Sequence, residues 1–277
     1  LLASLKPEDR VLVLITRNYG LSDPVLNIGI PRLLLERGHK VITLSHLPAH
    51  DLDLSADHPN LYWPFGQHIL SGAKLAAHHP NLYAVYLTNH GCGPDTMLAN
   101  LFRKEMGEKP YLHIEVDEHF SPVGVITRVE AFLQSLESRP PQPLPEGFRL
   151  TNVEHRSAKV VSAPDPGRGP LYLPDLPPFT PYLRNYVEQV WNTETRPMPL
   201  GEPSLMLGRA ETSAKEYLPF PALLGGCLDA AKQELGPFQV LIPTTQGAEA
   251  DGQYPWAVEA VLARRGLGRV TLVSPEL

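Results

Sequence analysis

Leu82-Tyr-Ala-Val-Tyr-Leu-Thr-Asn-His-Gly-Cys-Gly-Pro-Asp95 packs a strand, a turn and a helix start into one short stretch. The apolar, β-favouring run from Leu82 ends at a cysteine flanked by Gly91 and Gly93. Pro94 and Asp95 then open a segment with helical character that runs to about Glu105. A cysteine at such a turn lies at the carboxyl edge of a sheet, beside a helix N-terminus that favours a thiolate. That setting suits an iron–sulfur ligand or a reactive thiol. It equally suits a small buried residue at a turn.

The same strand-then-helix pattern recurs on both sides. Residues 11–16 (VLVLIT) form a continuous apolar run, as in a strand buried on both faces. Helical spacing follows over Pro24–Arg37, with Gly38 as its stop, and 39–44 (HKVITL) reads as a second strand. Ala73–Ala77 reads as helix, 82–88 as strand, 96–106 as helix, 110–117 as strand and Thr127–Ser138 as an amphipathic helix. Prolines then crowd the interval between 139 and 170, which also holds a short alternating stretch, Lys159–Ser162. Beyond it the alternation resumes. Strands are expected at 171–173, 205–207, 238–242 and 269–273, and helices at 180–192, 219–235 and 254–265. Strands alternating with helices imply parallel sheets covered on both faces. The expected fold is therefore α/β, with two Rossmann-like or flavodoxin-like units, 1–138 and 171–277, joined by a proline-rich linker over 139–170.

At 277 residues the chain is long enough for two domains. A formal charge of −6 and a pI near 6.0 argue against nucleic acid or an anionic membrane surface as the main partner. No apolar run is long enough to span a bilayer, and residues 1–15 lack the plan of a signal peptide. Two cysteines, Cys92 and Cys227, cannot build a disulfide framework, so a reducing, cytoplasmic setting is expected. Because it opens on Leu1 and ends just after a strand, the chain reads as a segment of a longer polypeptide.

Three places could carry chemistry. Cys92 is the first, whereas Cys227, inside the helical run 223–228, reads as core. The second is the row His113, Glu115, Asp117 and His119, which strand periodicity puts on one face. Such a row can bind a divalent metal or simply form the solvated end of a strand. The third is Pro243-Thr-Thr-Gln-Gly247, at the carboxyl end of a strand, where open α/β sheets bind ligands. No dinucleotide or phosphate-loop fingerprint follows a strand, and no G-x-S-x-G elbow is present. His90 beside Cys92 lacks an orienting group, which argues against a Cys–His hydrolase.

Several blocks together resemble one family. They include Arg17-Asn-Tyr-Gly-Leu-Ser-Asp-Pro-Val-Leu-Asn-Ile-Gly-Ile-Pro31, Asn60-Leu-Tyr-Trp-Pro-Phe-Gly-Gln67, His79 to Asn89 and Gly91-Cys-Gly-Pro-Asp95. Others are Asp117-Glu-His119, Thr127 to Phe132, Gly208-Arg209, Thr212-Ser213, Lys215-Glu216, Leu218-Pro-Phe220, Leu241 to Gly247 and Gly252-Gln-Tyr254. In this order they resemble the activase-related proteins of the 2-hydroxyacyl-CoA dehydratase superfamily. The resemblance implies an α/β fold carrying a [4Fe–4S] cluster, and activator ATPase-type or dehydratase-like partners, sometimes in the same longer chain.

It also implies cluster cysteines at three turns, of types C-G-P-D, K-E-C-x-P and T-T-Q-G-P-C-R. Cys92 matches the first, Tyr217 stands at the second and Glu249 at the third. Thiolates are what select an iron–sulfur cluster, so two replacements point to a cluster-less, non-catalytic or regulatory member. The alternatives are two: a working [4Fe–4S] redox component of a 2-hydroxyacyl-CoA dehydratase system, which would make it part of a lyase, or a small-molecule or CoA-binding module. The residues expected at the site are Gly91, Cys92, Gly93, Tyr217, Thr244, Thr245, Gln246 and Glu249, with Cys92 as the surviving metal ligand.

Overall fold

In the computed structural model the described residues are 2–89, 92–117, 119, 121–140, 142–154, 160–213, 216–244 and 250–275. They form two compact units, Leu1–Leu54 with Trp63–His155, and Ser55–Tyr62 with Arg156–Leu277. Each is an α/β unit with an all-parallel sheet.

The first sheet has the order β2-β1-β3-β4, from β1 (Val11–Ile15), β2 (Lys40–Thr43), β3 (Leu82–Asn89) and β4 (Leu112–Val116). Val11 to Ile15 are all buried, which is why β1 reads as an unbroken apolar run instead of alternating. Its helices are α1 (Asn18–Ser22), α2 (Ile30–Glu36), α3 (Pro64–His78), α4 (Gly93–Met106) and α5 (Pro122–Glu137).

Two helices differ from expectation. The helix expected over Pro24–Arg37 begins only at Ile30: residues 24–29 are turns that end on left-handed Ile28 and Gly29, at φ 49° and 65°. The Asp23 carboxylate opens that turn region by accepting the Val25 and Leu26 N–H groups at 2.8 and 3.2 Å. Conversely, α3 extends far beyond Ala73–Ala77. Its Gly72 looks like a helix breaker in sequence, yet a Cβ there would lie 2.4 Å from Leu44 Cδ1. That glycine marks close packing.

The second sheet has the order β5-β9-β8-β6-β7, from β5 (Val160–Val161), β6 (Leu171–Pro174), β7 (Thr195–Met198), β8 (Phe238–Leu241) and β9 (Val270–Val273). Its helices are α6 (Thr180–Trp191), α7 (Glu202–Arg209), α8 (Pro219–Gln233) and α9 (Tyr254–Arg264). The strand expected at 205–207 is wrong, for those residues lie within α7. A short apolar run such as Leu205-Met-Leu207 has no period long enough to separate strand from helix. The strand is β7, hidden by Pro197, which the edge position tolerates. Leu171, Leu173, Val187, Leu241 and Val273 pack together between sheet and helix, with Leu183 and Trp191 against them.

Candidate functional site

In the first sheet the chain goes from β1 outward to β2, then returns to place β3 on the other side of β1. The β1/β3 boundary is therefore a topological switch point, where the loops after adjacent strands part and leave a crevice. Arg17 follows β1, and Cys92 follows β3 as the N-cap residue of α4. Parallel register brings the two turns together.

Arg17 is the organising residue. Its Nη2 lies 2.9 Å from Asp95 Oδ1, and the two side chains are 17% and 3% exposed. Nε also donates to Asp95 Oδ1 at 3.2 Å, Nη1 donates to Tyr19 Oη at 2.8 Å, and Nη2 donates to Cys92 Sγ. The guanidinium carbon lies 4.9 Å from the centre of the Trp63 ring and 6.0 Å from that of Tyr19, at cation–π distance. Burial works to lower the Arg17 pKa, but the Asp95 charge and hydrogen bond, with help from Tyr19 and Cys92, raise it overall. Asp95 reaches back past the turn, and its Oδ2 accepts the Asn89 N–H at 3.1 Å. It thereby ties the end of β3 to the first turn of α4.

Behind this cluster, Tyr86 of β3 is fully buried and stacks on Phe102 of α4 at 4.1 Å. Its hydroxyl has no hydrogen-bond partner. Burial, and then the Asp95 charge, hold the phenol well above its ordinary pKa.

Of the expected site residues, Cys92 is half-buried and Gly93 begins α4, both in the first unit. Tyr217 and Thr244 belong to the second unit. Tyr217 is 52% exposed. Thr244 is buried, and its hydroxyl donates to Gly252 O at 3.1 Å and accepts from Asn60 Nδ2 at 3.3 Å. Gly91, Thr245, Gln246 and Glu249 lie outside the described residues, as does His90.

The metal row is broken. β4 ends at Val116, beyond which Asp117 Oδ1 accepts the His119 N–H at 2.9 Å. His113 Nε2 pairs with Thr88 Oγ1 at 2.9 Å, and its ring stacks on Tyr86. Among the described residues no group of three or more His, Cys, Asp or Glu side chains could hold a metal ion.

No family model, curated protein or solved structure matches this chain. A [4Fe–4S] cluster takes four thiolates as a rule. Here there are two cysteines. Cys227 is fully buried on α8, its sulfur 3.9 Å from Met198 Sδ, and burial pushes its thiol up to about 12. The Cys92 sulfur is engaged by the Arg17 guanidinium. Among the described residues the donor set does not fit a cluster.

Sequence reading singled out Cys92 and Asp95 but gave Arg17, Tyr19 and Trp63 no role. The available signal was the arginine directly after the first buried strand, in a fold whose switch point lies there.

Proposed function

We propose that this chain is a cluster-less relative of the 2-hydroxyacyl-CoA dehydratase and activase proteins, a non-catalytic module that docks with a dehydratase-like α/β subunit. One observation carries the reading: the sulfur of Cys92 is engaged by Arg17, itself paired with Asp95, in the place where the family resemblance implies a cluster ligand. An arginine in that position engages the sulfur with a planar group that is itself held by Asp95 and Tyr19. Among the described residues the redox reading finds no donor set.

Docking has separate support on α6. Phe179, Tyr182, Tyr186 and Val190 fall at helical spacing along one stripe and are each more than half exposed. Large exposed apolar stripes of this kind mark interaction surfaces. The resemblance names the occupant.

The test begins with protein purified and reconstituted without oxygen. Iron and acid-labile sulfide should stay below about 0.1 per chain, and no sulfur-to-iron absorption should develop. Stoichiometric iron and sulfide would overturn the cluster-less reading. Sedimentation with a purified dehydratase-like subunit should then show a complex that Tyr182→Ser with Tyr186→Ser weakens by roughly tenfold. An unchanged affinity would remove α6 from the docking surface.

A further inference from the structure

A second feature of the first unit is independent of that reading. Between the turn Ala49–Asp51 and the first half of α3 lies a cavity of about 180 Å³. Leu52, Pro64 and Phe65 form its apolar wall, while Asn18, His50, His68 and Ser71 supply polar groups. Among the described residues no carboxylate lines it.

His68 is 7% exposed, yet its Nε2 has no hydrogen-bond partner. A buried imidazole nitrogen left unpaired is costly, and a ligand atom that satisfies it binds with that cost removed. The exposed His50 ring lies against it, with centroids 3.5 Å apart and planes tilted by 38°. Burial first, and then the His50 charge, hold His68 below its ordinary pKa, so it waits in the neutral form.

The nearest acidic groups along the chain, Asp51 and Asp53, are exposed, and neither lines the cavity. On α4, Glu105 pairs with Lys74 further along α3. β1 carries no titratable side chain, and on β3 Tyr86 is stacked on Phe102 and His113.

Two facing imidazoles, with no acid among the described cavity walls, can hold an anion once His68 takes up a proton. The volume is close to that of an engineered apolar cavity of about 150 Å³ that accepts benzene. We propose that this cavity binds a small planar monocarboxylate, about the size of benzoate. The ring lies against Phe65, Leu52 and Pro64, and the carboxylate takes a charge-assisted hydrogen bond from His68. Binding transfers one proton from solvent to His68, so that imidazolium and carboxylate form a buried pair. Asn18 directly follows Arg17, and Phe65 packs edge-on against Tyr19 and Trp63, which places the cavity next to the aromatic residues around Arg17.

The experiment is calorimetry on the whole chain with benzoate and with its neutral isostere benzamide, together with nitrogen NMR of the histidine rings. Benzoate should bind saturably, with benzamide about tenfold weaker or more. Benzoate affinity should rise as pH falls from about 7.5 to about 6, by up to about tenfold per pH unit, with the His68 ring moving to the imidazolium signature. His68→Gln should lose about tenfold or more in affinity. If that variant fails to fold, the His68 signals of the unaltered protein decide the matter. No saturable binding up to roughly 10 mM, equal binding of benzamide, or His68 signals that stay unmoved on saturation would overturn the proposal.

Discussion

His79 shows how one buried side chain sets a pH response. It is 2% exposed, its Nδ1 accepts the Asn81 N–H at 3.2 Å, and its own carbonyl accepts from Lys109 Nζ. A nitrogen that accepts must be unprotonated. Burial, then the Lys109 and His78 charges, push the ring down to about 4 from an ordinary 6.5. Between those values the unfolded chain takes up a proton that the folded chain refuses. The His79 contribution to stability is therefore fully present above about pH 6.5, and is lost as the pH drops toward about 4. Melting temperatures followed from pH 7 to pH 4 should decline, and His79→Gln should flatten part of that decline. An identical slope in the variant would show that other groups carry it. The histidine is visible in the sequence, but its acceptor role is not, because that depends on how the turn before β3 closes.

At the scale of elements, α7 and α8 cross at two glycines. A Cβ on Gly225 would sit 1.6 Å from Ser204 O and 2.9 Å from Gly208 N. A Cβ on Gly208 would sit 1.8 Å from Pro221 O. Backbone lies against backbone, so no side chain can rotate away. Gly225→Ala must separate the helices, and should cost about 3 kcal/mol or more in denaturant unfolding. Gly236→Ala, where nothing lies within 4 Å, is the control and should change stability little. Equal midpoints for the two variants would refute the crossing. The same elements show the limits of pattern reading. The long amphipathic segment 219–235 reads correctly as helix, whereas α7 reads as strand because three apolar residues have no resolvable period. The Pro24–Arg37 segment looks like one helix because spacing records which residues are apolar, and says nothing of the left-handed backbone at Ile28 and Gly29.

Across the whole molecule the two cysteines occupy opposite environments. Cys92 is half-buried at the mouth of a turn, and Cys227 is sealed in a core with its thiol pushed up to about 12. A thiol reagent under native conditions should modify one sulfur per chain, and the second only after denaturation. Cys92→Ser should abolish the native reaction. Two fast-reacting thiols would contradict the burial of Cys227.

The parallel α/β character of both units was legible in the sequence. Buried parallel strands are short continuous apolar runs, and glycine and proline punctuate the turns between them and the helices, so the signal is local. The position of Cys92 at a strand-to-helix turn was legible for the same reason. What only the tertiary structure decided is the company that cysteine keeps. Arg17 lies 75 residues from Cys92 and 78 from Asp95 along the chain, and β1 and β3 bring them together by pairing in parallel. The His50–His68 cavity likewise depends on a turn after β2 packing against α3. Strand order and the packing of turns on helices are set by burial summed over the whole unit, and no residue window displays that sum.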